Sequence, residues 1–311
     1  MKILVTGGAG FIGSHIVDAL VQESHTIIVY DNLSAGKKEN IAHHKNNINL
    51  VEADITDFQT LNESCQNVDV ILHLAASNSV PRSLKEPEKF FHNNILGTYN
   101  VLEAARQNNV KRVIFSSSSS VYGTNQELPL KEEKTGMRLS PYAISKFTGE
   151  DLCKFFWKTY GMETVILRYF NVFGARQNKD SQYAAVIPKF ITLMLAGKEP
   201  TIFGDGEQKR DFTHVSNVVY GNILALTAEN IAGETINIAN SSSTSVNQLI
   251  QHINKIIGKN IQPIYTPPRK GDIKDSLADT TKAKQLLGFK PVTLIENGLE
   301  ETIGWFRKNK Q

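Results

Sequence analysis

A run of glycines, Gly7-Gly8-Ala9-Gly10-Phe11-Ile12-Gly13, directly follows the apolar stretch Ile3-Leu4-Val5-Thr6 and leads straight into a helical pattern. A strand that turns sharply into a helix presents unpaired N–H groups and partial positive charge at the helix N-terminus. Gly7 and Gly10 remove the Cβ atoms that would keep a pyrophosphate off the backbone, and Gly13 lets the helix lie close on the strand. The spacing is GxxGxxG rather than GxGxxG, and a glycine triplet alone also suits a purely structural strand-to-helix turn. The next apolar run, Thr26-Ile27-Ile28-Val29-Tyr30, supplies a second signal because it ends in Asp31. An acid there accepts adenosine ribose hydroxyls and repels a 2′-phosphate, which predicts NAD over NADP. Lys37 and Lys38 are the nearby cations that an NADP reading would need.

The 311 residues suit one large α/β unit with a smaller appended lobe. Hydrophobic residues make up 41% and charged residues 21%, the balance of a globular protein with a large core. A net charge of +3, with no block of Lys and Arg, gives no support to nucleic-acid or membrane binding. Cys65 and Cys153 form no CxxC pair, which fits a reducing cytoplasm and two buried, inert thiols. No secretory start precedes the first strand at Lys2, so the mature protein is expected to be the whole chain and cytoplasmic.

Beyond Asp31, β-branched runs alternate with amphipathic stretches, the pattern of a doubly wound parallel sheet with helices on both faces. Further strands are expected at 49–53, 68–74, 112–115 and 164–168, and long helices at about 87–108 and 142–160. From about Phe170 the alternation loosens. Phe173-Gly174, Phe203-Gly204-Asp205-Gly206 and Pro267-Pro268-Arg269 read as loops of a substrate lobe. The division expected is 1–170 for the dinucleotide-binding domain and 171–311 for the lobe, with some exchange of chain between them. Ser245-Val246-Asn247-Gln248 has capping-box spacing before a helix, and Gly288 and Pro291 close another.

Tyr142 and Lys146 stand four apart near the start of a helix, hence on one face. A phenol titrates near pH 10, too high for a base at neutral pH, but an adjacent ammonium favours phenolate. YxxxK alone is common on ordinary surfaces. Here Ser116 to Ser120 ends a strand whose carboxyl end is where an open parallel sheet binds ligands, and Ser118 is the candidate within it. The other hydroxyls are expected to cap or to bond to backbone. His73 reads as a core histidine, and His43-His44 has no third ligand spaced for a metal.

GxxGxxG, Asp31, Asp54-Ile55, Leu74-Ala75-Ala76, Asn94 before Gly97-Thr98, Ser118, Tyr142-x-x-x-Lys146 and Arg168-Tyr169-Phe170-Asn171 occur in this order along nearly the whole chain. Together they resemble the extended short-chain dehydrogenase/reductase family, specifically its nucleotide-sugar 4-epimerases. The resemblance implies a Rossmann-type domain holding NAD through Gly7, Gly10, Phe11, Ile12 and Gly13, with Asp31 and Asn32 at the adenosine ribose. It places Asp54 and Ile55 near adenine, Leu74, Ala75, Ala76 and Asn94 along the cofactor, Lys146 with Tyr142 at the nicotinamide ribose, and Phe170 by the nicotinamide. It implies a UDP-sugar in the C-terminal lobe, with Asn171 on the diphosphate side and Val186, Pro188 and Phe203 near uracil. Arg210 and Arg269 would hold phosphate oxygens, a task suited to planar permanent cations, and Asp272 the uridine ribose. The resemblance also implies a homodimer built on the two long helices as a four-helix bundle, and no metal.

Within that family, epimerases, 4,6-dehydratases and decarboxylases share oxidation at sugar C4 and differ in the fate of the 4-keto sugar. Ser119 and Ser120 occupy the positions where dehydratases carry an Asp-Glu pair and uronate decarboxylases a Glu at the second. Without a carboxylate to move a second proton, the 4-keto sugar is expected only to take its hydride back, which favours epimerisation. The other two reactions remain alternatives, as does a non-catalytic NAD(P)-sensing relative, although such sensors generally lack the tyrosine and lysine. Ser276 aligns with a position where epimerases restricted to plain hexoses carry tyrosine, so its small side chain points to UDP-GlcNAc/UDP-GalNAc, with UDP-Glc/UDP-Gal also admitted.

Overall fold

The computed structural model describes residues 1–178, 186–268 and 275–309. The chain opens with β1 (Lys2–Thr6), α1 (Phe11–Gln22), β2 (Thr26–Tyr30), β3 (Ile48–Val51), α2 (Phe58–Ser64) and β4 (Val70–His73). It continues with α3 (Val80–Lys85), α4 (Pro87–Phe91), a π-helical turn over His92–Leu96, α5 (Gly97–Gln107), β5 (Arg112–Ser118), α6 (Pro141–Tyr160) and β6 (Glu163–Tyr169). The helix expected at 87–108 is thus one run of chain with a π-turn at its middle, which no spacing in the sequence announces.

The central sheet has seven parallel strands in the order β11-β6-β5-β4-β1-β2-β3, where β11 is Thr235–Ile238. The order reverses between β1 and β4, which opens the crevice at their carboxyl ends where such sheets bind ligands. Leu4, Ile71, Val113 and Ile166 fill one face and Val5, Leu72, Ile114 and Val165 the other, as strands covered on both sides require. The strand expected at 112–115 runs on to Ser118, because Ser116, Ser117 and Ser118 keep pairing with Leu167, Arg168 and Tyr169.

After β6 come β7 (Val172–Phe173), α7 (Val186–Leu195), β8 (Thr201–Phe203), β9 (Lys209–Asp211), β10 (Thr213–His214) and α8 (Val215–Thr227). Following β11 are β12 (Ser243–Ser245), α9 (Val246–Ile257), β13 (Ile264–Thr266), α10 (Thr281–Leu287) and α11 (Ile295–Lys308). Phe173 and Phe203 therefore lie in short strands rather than in loops. Helices α7, α9 and α11 enclose a second core of Phe190, Ile191, Leu249, Ile253, Leu299 and Ile303, separate from the sheet. Helix α8 and strand β11 return to the central layer: Val218 and Ala225 join the core around α1, and Ile236 pairs with Leu167. The capping box is present, Ser245 accepting from Gln248 N and Gln248 reaching back, and Gly288 ends α10 in the left-handed region.

Candidate dinucleotide and sugar site

The glycine turn is closed to side chains. Gly7 has φ +71°, and a Cβ there would lie 2.7 Å from Ala75 N, while one on Gly13 would lie 2.2 Å from Gly7 O. The end of β1, the start of α1 and the exit of β4 therefore meet at backbone contact, leaving the α1 N-terminus uncovered for an anion. Gly10 is the helix N-cap and supplies no side-chain cap. Phe11 and Ile12 open the first turn. Asp31, 6% exposed, receives Ala9 N on Oδ2 at 2.9 Å and Leu33 N on Oδ1 at 2.8 Å. Burial raises its pKa against those two bonds. A carboxylate has roughly four acceptor directions, so Asp31 retains capacity for ribose hydroxyls.

Around this turn, Asn32 donates to Asp54 Oδ2 at 2.6 Å, and Thr56 donates to Asp54 Oδ1 through its N–H and hydroxyl. Burial opposes the charged form of Asp54, but these bonds hold its pKa below the usual value. Ile55 is buried against Gly97, where a Cβ would come within 2.3 Å of its side chain. Leu74 N and Ala75 N donate to Thr6, to its carbonyl and hydroxyl respectively, with Ala76 following. Asn94, on the π-turn, accepts from Ser77 N and donates to Ser77 O and Ser145 Oγ, so it ties the β4 exit to α6. His73 is a buried core histidine: its ring nitrogens face the hydroxyls of Thr6 at 2.7 Å and Thr98 at 3.0 Å, and burial pushes its pKa down to about 3. Both cysteines are free and buried, and burial pushes the Cys65 thiol up to about 12.

Helix α6 starts with Ser140 accepting from Ala143 N and Pro141 in the first turn, which puts Tyr142 at the mouth of the crevice. Gly149 brings the helix close: a Cβ there would lie 2.5 Å from the Phe115 ring on β5. Ser118 and Tyr142 meet across this contact. Burial raises the Tyr142 pKa, and the hydrogen bond with the Ser118 hydroxyl opposes it. Lys146 lies one turn on, 5% exposed, donating to Ser116 O at 2.7 Å, and burial lowers its pKa to about 8. The sequence suggested that Lys146 acts on the phenol directly. In the structure the Lys146 ammonium, one helical turn from Tyr142, donates to Ser116 O. The Ser120 hydroxyl is buried with no hydrogen-bond partner among the described residues.

Beneath these groups lies a network the sequence did not announce. Arg168 donates to both carboxylate oxygens of Glu150, at 2.8 and 2.6 Å, and the Ser117 hydroxyl donates to Glu150 as well. Ser117 thus bonds an acid rather than backbone, a correction that follows from its pleat, which puts it on the same face of β5 as Val113 and Phe115, the face that packs on α6. Arg168 also reaches Glu132 O and sits over the Tyr122 ring, whose hydroxyl donates to Asn237. Phe170 is fully buried against Tyr122.

On the other side of the crevice, Asn171, with φ +34°, donates to Asp211 O at 3.1 Å and to Ser276 Oγ at 3.4 Å. Ser276 N donates to Lys209 O, so the residue is held against β9, next to Arg210. Val186 and Pro188 lie on α7, and Phe203 ends β8. Arg269 and Asp272 lie outside the described residues. Asp211 carries no signal in the sequence. Its carboxylate receives Asn240 N and Ala278 N, and burial raises its pKa to about 7. Since Asn240 follows β11 and Ala278 precedes α10, only the fold brings them to it. The fold also supplies the third partner that the sequence lacked at His43-His44, because Asp18 of α1 reaches both rings.

A crevice at the β1/β4 reversal, a glycine cradle, an acid after β2 and a Ser-Tyr-Lys group on β5 and α6 are the features a dinucleotide-dependent site would use. Residues 3–239 match the profile of the NAD dependent epimerase/dehydratase family. The chain belongs to this family. NAD is its cofactor, and the backbone cradle and Asp31 fit it. This family member is similar to the UDP-N-acetylglucosamine 4-epimerase of Methanobrevibacter ruminantium M1, whose structure holds UDP-N-acetylmuramic acid: 44% identity, TM-score 0.94, covering 99% of this chain and 98% of that one. It is similar to the Thermotoga maritima UDP-glucose 4-epimerase, solved with UDP-glucose, at 41% identity and TM-score 0.95 over 100% of both chains. A UDP-N-acetyl-alpha-D-glucosaminuronate decarboxylase of Bacillus cytotoxicus is 36% identical over 99% of this chain and 98% of its own. Relatives of this NAD-dependent family member thus run more than one reaction on UDP-sugars. Among the described residues no helix is long and apolar enough to cross a membrane.

Proposed function

We propose that this protein is a UDP-sugar 4-epimerase that interconverts UDP-GlcNAc and UDP-GalNAc and also accepts UDP-Glc and UDP-Gal. The observation that carries the reading is the grouping of Ser118 at the end of β5 with Tyr142 and Lys146 on the first turns of α6, flanked by the hydroxyls of Ser119 and Ser120 instead of carboxylates. Tyr142 takes the proton of the sugar 4-hydroxyl and later returns one to O4. Bound NAD supplies the two-electron acceptor for the C4 hydride. Ser118 holds O4 by hydrogen bonding, and Lys146, anchored on Ser116 O, fixes the first turn of α6 against the strand. With no acid or base at 119 and 120 to move a proton elsewhere on the ring, the keto sugar turns over and is reduced on its opposite face. Incubation of the pure protein with UDP-Glc, UDP-GlcNAc and their 4-epimers, each separately and with catalytic NAD, should give the epimer in each case. Loss of water from any of these sugars, or of carbon dioxide from a UDP-uronate incubated alongside them, would replace the reading with dehydration or decarboxylation.

Substrate choice rests on Ser276, whose hydroxyl lies at 3.4 Å from Asn171 Nδ2. A phenol in its place would fill the room needed by an N-acetyl group, and overfilling a packed site costs ~1–3 kcal/mol or more. Ser276→Tyr should therefore lose turnover of UDP-GlcNAc while keeping that of UDP-Glc. Wild-type protein inactive on UDP-GlcNAc but active on UDP-Glc would refute the pocket argument and leave the epimerase reading standing.

The same reading includes a homodimer. Leu96 and Tyr99 on one long helix, and Ile144, Phe155 and Tyr160 on α6, remain 40–50% exposed, so their apolar faces do not all pack on the sheet. Two such helices meeting their mates would cover them as a four-helix bundle. Sedimentation at micromolar protein should give twice the chain mass, and a monomer would count against the bundle.

A further inference from the structure

Helix α1 carries more than the phosphate-facing turn. Asp18, on its second half, meets His43 and His44, which sit in the 3-10 turn Ala42–His44 after β2. His43 Nε2 lies 2.8 Å and His44 Nε2 3.0 Å from the same atom, Asp18 Oδ1. The two rings are 4.1 Å apart, tilted by 45°, so both nitrogens converge from one side. The second carboxylate oxygen is occupied, because Arg176 Nη2 holds Oδ2 at 2.7 Å and so fixes the orientation of Oδ1 toward the histidines. His15, one turn earlier on α1, donates from Nε2 to Ala175 O, next to Arg176 in the chain.

We propose that Asp18, His43 and His44 bind one divalent d-block cation, of which zinc and cobalt(II) are representative. The three ligand atoms lie within 4.8 Å of one another. Bonds of ~2.0–2.2 Å in a tetrahedral site put ligand atoms about 3.3–3.4 Å apart. The two nitrogen–oxygen distances fall a few tenths of an ångström short of that, an adjustment that side-chain rotation supplies. Without metal the two Nε2–H groups both donate to Oδ1. With metal each Nε2 presents its lone pair and the proton passes to Nδ1 or to solvent. Two imidazoles and one carboxylate suit zinc, cobalt, nickel or copper rather than magnesium or calcium, which prefer all-oxygen sites. His43 keeps 47% of its side chain exposed, which leaves an open side for water as the fourth ligand. Arg176 acts as an outer partner of the kind that orients a ligating carboxylate.

The site lies apart from the Ser118–Tyr142 chemistry and links two parts of the dinucleotide cradle. The segment between β2 and the histidines is already tied to the glycine turn, since Lys37 N and Asn40 Nδ2 both donate to Ala9 O. A cation at Asp18 would add a clasp from the same segment to the helix.

Titration of the full chain, purified with its NAD and treated with chelator, with cobalt(II) chloride should give visible d–d absorption that saturates at one equivalent per chain. His44→Ala and Asp18→Asn should each weaken binding by at least the ~10–100-fold that losing even an outer partner costs, with unchanged circular dichroism. His252→Ala, on α9, should bind as wild type. Absence of a saturating band in the wild-type protein, or an unchanged band in both His44→Ala and Asp18→Asn, would overturn the proposal.

Discussion

Replacing Tyr142 by phenylalanine should lower epimerisation by ~10²–10⁴-fold, the range for losing a positioned acid or base. The ring is kept, so its edge contact with Phe90 at 6.3 Å survives and the helix should seat as before. Nucleotide-sugar binding should persist, because only the hydroxyl that meets Ser118 is removed. Initial rates with each 4-epimer, alongside calorimetric binding of UDP, separate the two effects. Retention of more than about half the activity would remove Tyr142 from the acid/base role, since the expected loss is orders larger.

The largest effect on stability should come from Glu150→Ala. Glu150 and Arg168 are 0% and 2% exposed, and their carboxylate and guanidinium are joined by two bonds. Removing one partner strands a buried cation, which typically costs about 3–5 kcal/mol, so the urea midpoint should fall by roughly that stability. Replacing both residues by apolar side chains of similar size should recover much of the loss, because the desolvation cost of the pair disappears with it. A single substitution costing under about 1 kcal/mol would show that solvent reaches the pair. The location makes the test informative for activity too. Ser117 bonds Glu150 from β5, between Ser116, whose carbonyl holds Lys146, and Ser118.

Much of the cradle is legible in the residues alone. Gly7 and Gly13 signal their task because no other residue survives a backbone contact of 2.7 or 2.2 Å. Asp31 is fixed by its place at the end of β2, and Tyr142 and Lys146 by one helical turn. Periodicity located six of the seven strands of the sheet to within a few residues, since strands covered on both faces must be apolar throughout, but it passed over β11, which joins the sheet from the far side of the sequence. Strand ends were less legible. Ser116 to Ser118 look like a polar tail, yet they pair with Leu167 to Tyr169, and pairing depends on a neighbour 51 residues away in sequence.

The sequence by itself determined the family, the cofactor, the parallel sheet and the local geometry of the glycine turn, because each depends on residue type at short spacing, where backbone sterics and helical or strand period leave little choice. Only the tertiary structure decided the Glu150–Arg168–Ser117 network, the Asp211 clasp on Asn240 and Ala278, the meeting of Asn171 with Ser276, and the convergence of Asp18 on His43 and His44. The partners in these contacts are 18 to 105 residues apart in the chain. A hydrogen bond or ion pair is set by distance and direction in space, and for separations of that length these follow from how the layers pack.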